Sequence, residues 1–101
     1  MRFKKAYSAG ILTVTLEGEL DENSARETRT YLDDAIGNGG FQKMLLDFEK
    51  VDFMDSTGIG VLLGRYKSLR AAGVELCVTK VNPQIDKVFR ISGLYQIIKA
   101  V

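Results

Sequence analysis

The sequence predicts an α/β domain: a small mixed β-sheet of four to five strands layered with α-helices. Two periodicities and a length carry that expectation. Apolar residues alternate with polar ones around Ile11, Val14 and Leu16 and again at Val74, Leu76 and Val78, as half-buried strands require. Along Ile59, Leu62, Leu63, Tyr66 and Leu69 they recur instead at spacings of three and four, the mark of an amphipathic helix. The 101 residues are 46% hydrophobic and 27% charged, enough for one core, so residues 1–101 are read as a single domain.

Taken in order, Ala9-Gly10 separates strands expected over 3–8 and 11–17, an opening hairpin. Ser24 and Glu27 fit a capping box, and behind them Ala25, Thr28, Leu32, Ala35 and Ile36 keep helical spacing until Gly37, the expected left-handed stop. Beyond the Asn38-Gly39-Gly40 loop, Met44, Leu45, Leu46 and Phe48 form a nearly continuous apolar run. That pattern predicts a central strand covered on both faces. Val51 to Gly58 passes from extended apolar character to cap-forming residues, and a second helix is expected over about 57–72, closed by Gly73. After the strand at Val74–Thr79, Asn82-Pro83 supplies a cap and a first-turn proline, Ile85, Val88 and Phe89 a buried stripe, and Gly93 a stop. Ile97 and Ile98 suggest a short last strand.

Composition removes several function classes. Lysine plus arginine is 14 and aspartate plus glutamate 13, so a net charge of +1 offers no global field to draw nucleic acid or a membrane surface. With no histidine, the usual zinc sets, histidine-based triads and the histidine pH switch are absent, and no cofactor or metal is expected. Cys77 alone excludes an internal disulfide. No apolar run reads as a leader or a membrane span, so the expectation is a cytoplasmic protein with a reduced thiol. Arg65, Lys67, Arg70, Lys80, Lys87 and Arg90 form either a basic patch for nucleic acid or, with as many carboxylates elsewhere, ordinary solvated helix faces.

The segment from Asp55 to Gly64 lies where a strand ends and a helix begins, the place where such sheets commonly meet ligands and partners. Ser56 has two readings. It is the helix N-cap, or, if Asp55 or Thr57 caps, its hydroxyl is spare and a phosphoryl group there is favoured by the helix N-terminus. Gly58, Gly60 and Gly64 each cost a helix roughly 1 kcal/mol relative to alanine, so a close approach is expected, either by the protein's own sheet or by a partner's backbone. A dinucleotide fingerprint is a poor match, because the spacing is G-x-G-x-x-x-G and the first glycine does not leave the strand directly. Ser56 as a nucleophile lacks a histidine base, and no G-x-S-x-G or S-x-x-K pattern surrounds it.

Phe53-Met54-Asp55-Ser56-Thr57-Gly58-Ile59-Gly60 resembles the STAS family, and in particular the bacterial anti-sigma factor antagonists. Gly18-Glu19-Leu20-Asp21 resembles the family's strand-to-helix motif. Leu63-Gly64-Arg65-Tyr66-Lys67 and Val88-Phe89-Arg90-Ile91-Ser92-Gly93-Leu94 are similar to its sporulation-type members. The resemblance implies a STAS domain over the whole chain with no enzymatic activity of its own. It implies an anti-sigma factor that is also an ATP-dependent serine kinase, which binds the unmodified chain and thereby releases its sigma factor. Phosphorylation of Ser56 ends the binding and a PP2C-type phosphatase restores it. Asp21, Asp55, Thr57, Gly58, Ile59, Gly60, Gly64 and Arg65 are the implied partner-binding residues, Asp21 having a turn or cap role as its structural alternative. Glu22-Asn23 stands where sporulation-type members often carry paired histidines, and a final helix is expected of the family after the last strand, whereas the sequence ends at Val101.

Overall fold

The computed structural model describes residues 1–101. Its elements are β1 (Arg2–Ser8), β2 (Ile11–Leu20), α1 (Ala25–Asn38), β3 (Lys43–Met54), α2 (Ser56–Ala71), β4 (Glu75–Thr79), α3 (Pro83–Ser92) and β5 (Lys99–Ala100), with one 3-10 turn at Leu94–Gln96. The five strands lie in the order β1-β2-β3-β4-β5, so β3 is central as expected. Only β1 and β2 are antiparallel, joined through Ala9 (φ 51°) and Gly10 (φ 78°), the paired positive φ of a primed two-residue turn.

Register fixes which face is buried. Leu12 and Val14 lie beside Met44 and Leu46, and these beside Leu76 and Val78. Onto that face pack Ala25, Leu32 and Ala35 of α1, Val61, Leu62 and Leu69 of α2, and Ile85 and Phe89 of α3, in one buried cluster. Phe48 meets Phe89 edge-on at 5.8 Å. The apolar run in β3 is therefore covered on one face, not two: Thr13, Thr15, Leu45 and Asp47 on the opposite face stay partly exposed. Cys77 also points to that side yet is buried between strands, and its thiol donates to Glu75 at 3.0 Å. Burial first, and then this carboxylate, pushes the thiol up to about 11.

The end of β3 departs from simple alternation. Thr15 and Glu17 of β2 face Asp47 and Lys50, and Gly18 and Glu19 face Val51 and Phe53, so β3 accommodates one extra residue at each of two bulges. Its buried residues are consequently Met44, Leu46, Phe48, Val51 and Met54. The second bulge is tied to α3, because the Asn82 side-chain amide donates to the carbonyls of Val51 (3.2 Å) and Asp52 (3.3 Å), while its oxygen caps α3 at the Ile85 amide (2.8 Å).

Three local expectations need correction. The capping box at α1 does not form: the Ser24 hydroxyl donates to the Glu19 carbonyl at 2.6 Å, and Glu27 pairs with the Met1 amine at 2.7 Å. The helix also runs through Gly37, and Gly39 (φ 60°) takes the stop instead. The last strand begins at Lys99 rather than Ile97, because Leu94–Gln96 turns once more and Ile98 drops into the core before pairing with β4 starts.

Candidate functional site

Asp55 is the N-cap of α2. Its backbone is extended (φ −112°, ψ −169°), and its carboxylate accepts from the amides of Thr57 (2.9 Å) and Gly58 (3.3 Å). Of the two readings of Ser56, the spare hydroxyl is the one found: Ser56 is the first helical residue, exposed, with no side-chain hydrogen bond to hold it. The start of α2 is anchored by the Asp55 amide donating to the Leu20 carbonyl at 3.4 Å.

The three glycines of α2 divide into two kinds. A β-carbon at Gly58 would collide with Met54 and stand 2.8 Å from the Leu20 carbonyl oxygen, so the helix can approach the sheet only with glycine there. This is the protein's own packing, the first of the two readings weighed for these glycines. At Gly60 and Gly64 a β-carbon would meet nothing within 4 Å. Ser56, Gly60 and Gly64 follow one another at intervals of four, so the exposed hydroxyl heads a bare stripe along one side of α2. Beside it, α2 and α3 leave a groove lined by Ile59, Gln84, Lys87, Val88, Ile91 and Ser92. Thr57, next to Ser56 and itself a donor to the cap, is half-buried.

Asp21 follows Leu20, which pairs with Met54, so Asp21 and Asp55 leave adjacent strand ends on one rim. The Asp21 carboxylate accepts from Asn23 (3.0 Å) and Ser24 (3.2 Å), which is the turn role weighed for it, and its second oxygen has no protein partner. Arg65 is not brought to this surface. It shares the inward stripe of Gly58, Val61, Leu62 and Leu69. Its side chain is 12% exposed in the seam with α1, where Nε lies 3.0 Å from Asp33 without the alignment of a hydrogen bond. Of the other basic residues, Lys80 lies 3.9 Å from both Asp47 and Glu49 and Arg90 pairs with Asp86, in keeping with solvated faces. The same Asp86 accepts from the Tyr95 hydroxyl at 2.6 Å. Hydrogen bonds from Tyr95 and then Arg90 hold the Asp86 carboxyl below its usual range, and burial followed by Asp86 raises Tyr95 to about 12. No helix is long and apolar enough to cross a membrane.

Residues 3–101 match the STAS domain family model. The chain belongs to the STAS family. It is 36% identical over 97 residues, 96% of this chain and 83% of the relative, to the anti-sigma F factor antagonist of Paenibacillus polymyxa. The anti-sigma-B factor antagonist of Listeria monocytogenes is 32% identical over 88 residues, 87% of this chain and 76% of the relative. Among solved structures, the phosphorylated form of the Bacillus cell fate determinant SpoIIAA superposes with a TM-score of 0.74 at 30% identity, covering 99% of this chain and 91% of that one. The α/β STAS architecture expected from the sequence is thus the one present.

In this STAS domain the sequence had pointed to the Asp55–Gly64 segment as the place for partners but not to the groove face beside it. Val88 reads as core by its spacing, yet is only half-buried, and Ile91 is 75% exposed. A large aliphatic residue two positions beyond the buried Phe89 stripe was the available signal.

Proposed function

We propose that the protein is a non-catalytic anti-sigma factor antagonist. Its unmodified form docks on an anti-sigma factor serine kinase and frees the sigma factor, and phosphorylation of Ser56 ends the docking. The observation that supports this most directly is the exposed Ser56 hydroxyl at the first position of α2, released from capping by Asp55 and continuous with the open Gly60 and Gly64 stripe. A hydroxyl so placed can enter a kinase active site without unfolding, and a side without β-carbons lets the partner's surface approach the helix backbone. Asp21, Asp55, Thr57, Ile59, Gly60 and Gly64 supply the contact surface in this reading, with Val88 and Ile91 extending it across the groove. Gly58 shapes it from below, and Arg65 acts at most through the α1–α2 seam.

In the transfer, Ser56 Oγ attacks the γ-phosphorus of ATP held by the kinase. The Oγ–P bond forms as the bond to the β–γ bridging oxygen breaks, ADP leaves, and the hydroxyl proton passes to a base of the kinase. A PP2C-type phosphatase reverses the step by hydrolysis, returning the serine and inorganic phosphate. The added charge of about −1.5 to −2 falls beside Asp55, on the rim that also carries Asp21. Like-charge repulsion and desolvation at the contact cost about 2 to 5 kcal/mol, equivalent to roughly thirty-fold to several-thousand-fold weaker docking. Sporulation control is the cascade this reading favours over another partner-switching cascade such as the general stress response, supported by the higher identity to an anti-sigma F than to an anti-sigma-B factor antagonist.

The test is a titration of the cognate anti-sigma factor kinase with two variants. Ser56→Ala should take no phosphate and keep its affinity, while Ser56→Asp should bind more weakly. Equal affinities overturn the reading, as does ATP turnover by the isolated protein.

A further inference from the structure

Beyond the N–H of Ser56 itself, the two nearest amides that a phosphate on that residue could seek are already taken. A phosphoserine at the first position of a helix ordinarily folds back on the free N–H groups of the first turn, where the helix dipole favours it. Here the Asp55 carboxylate accepts from Thr57 and Gly58, and the Ile59 amide donates to the Asp55 carbonyl at 3.2 Å. We propose that Asp55 is a positioning residue for the modified state: by holding the Thr57 and Gly58 amides it keeps the phosphate on Ser56 toward solvent, on the open stripe, instead of letting it fold over the helix end. The inference rests on the reading that Ser56 is the modified residue.

The neighbouring charge acts in the same sense. Asp21 leaves β2 on the rim from which Asp55 leaves β3, because Leu20 pairs with Met54. To reach the amides the phosphate has to displace the Asp55 carboxylate, exchanging one anion for another at the helix end and gaining little. A phosphate left outward obstructs the docking surface, remains open to hydrolysis, and leaves the start of α2 as it was.

Phosphoserine is installed at position 56 during translation, so the experiment does not depend on any kinase, and a failure here is separable from a failure of the proposed function. The phosphate is followed by 31P NMR from pH 4 to 8 while the amide protons of Thr57 and Gly58 are followed in the same samples. In the otherwise unchanged protein those amides should not track the phosphate titration. In Asp55→Gly, which keeps a tolerated cap residue, they should move downfield as the phosphate ionises, and its second pKa should fall by about one unit. Asp55→Asn, neutral but still able to cap, should give the same amide response to a lesser degree. Asp21→Asn removes a comparable charge without freeing either amide, so it should lower the phosphate pKa without amide tracking. Tracking in the protein with Asp55 intact, or its absence in both Asp55 variants, overturns the proposal.

Discussion

Met54 occupies the space that a side chain on Gly58 would need. The Leu20 carbonyl closes the same space from β2, at 2.8 Å from where a β-carbon would stand. Gly58→Ala should therefore destabilise the fold by about 1 to 3 kcal/mol, the usual cost of overpacking, even though alanine is the better helix former. Thermal unfolding checks this: the midpoint should drop by at least about 4 °C for a chain of this length, and a variant as stable as its parent refutes the contact.

Gly60→Ala and Gly64→Ala should behave in the opposite way. Nothing lies within 4 Å of either added methyl, so each should stabilise the protein by up to about 1 kcal/mol in urea denaturation. If the stripe is the docking side, the double variant should nevertheless bind the anti-sigma factor kinase less tightly than the parent. Stabilisation with unchanged affinity would place docking elsewhere on the molecule.

Tyr95 gives the fold a dependence on alkaline pH. Its folded pKa of about 12 lies above the ordinary value of 10.0, so its contribution is complete below pH 10 and is lost as pH rises from about 10 to 12. Asp86 is shifted the other way, so its contribution is present above the usual carboxylate range and is lost as pH falls through that range. Tyr95→Phe should flatten the stability profile between pH 10 and 12, measured by urea unfolding. The loss that remains should begin nearer pH 9, the ordinary value for Cys77, whose folded pKa of about 11 has the same sign. An unchanged slope in Tyr95→Phe would remove Tyr95 as its source.

What was legible in the sequence was whatever local chemistry alone decides. Asn82, Pro83 and Gly93 bound α3 because cap, fixed φ and left-handed stop need no distant partner, and the amide of Ile85 and the αL conformation of Gly93 are found where those residues place them. Ala9-Gly10 gave the hairpin for the same reason. Ser24 and Glu27 misled because tertiary partners outbid the local box: the Glu19 carbonyl for one, the chain's own amino terminus for the other. Gly37 misled because Asn38 could extend α1 one residue more before Gly39 turned it. At the candidate site, Asp55, Ser56 and the glycines were visible as a group. Which glycine packs and which stays bare depends on Met54 and Leu20, brought in by β3 and β2. Arg65 looked like a surface residue by charge, but its position in the repeat of α2 turns it inward, and Asp33 of α1 makes that tolerable.

The two extra residues in β3 have a consequence for how this segment can change in length. Each is absorbed where two residues of β3 face one of β2, so the pairing beyond it is kept and Met54 lies opposite Leu20 with its side chain inward. Losing either extra residue would erase its bulge and leave Met54 inward and Asp55 at the strand end. With both gone, one further loss would have no bulge to absorb it: Met54 would turn outward and the cap of α2 would leave the rim.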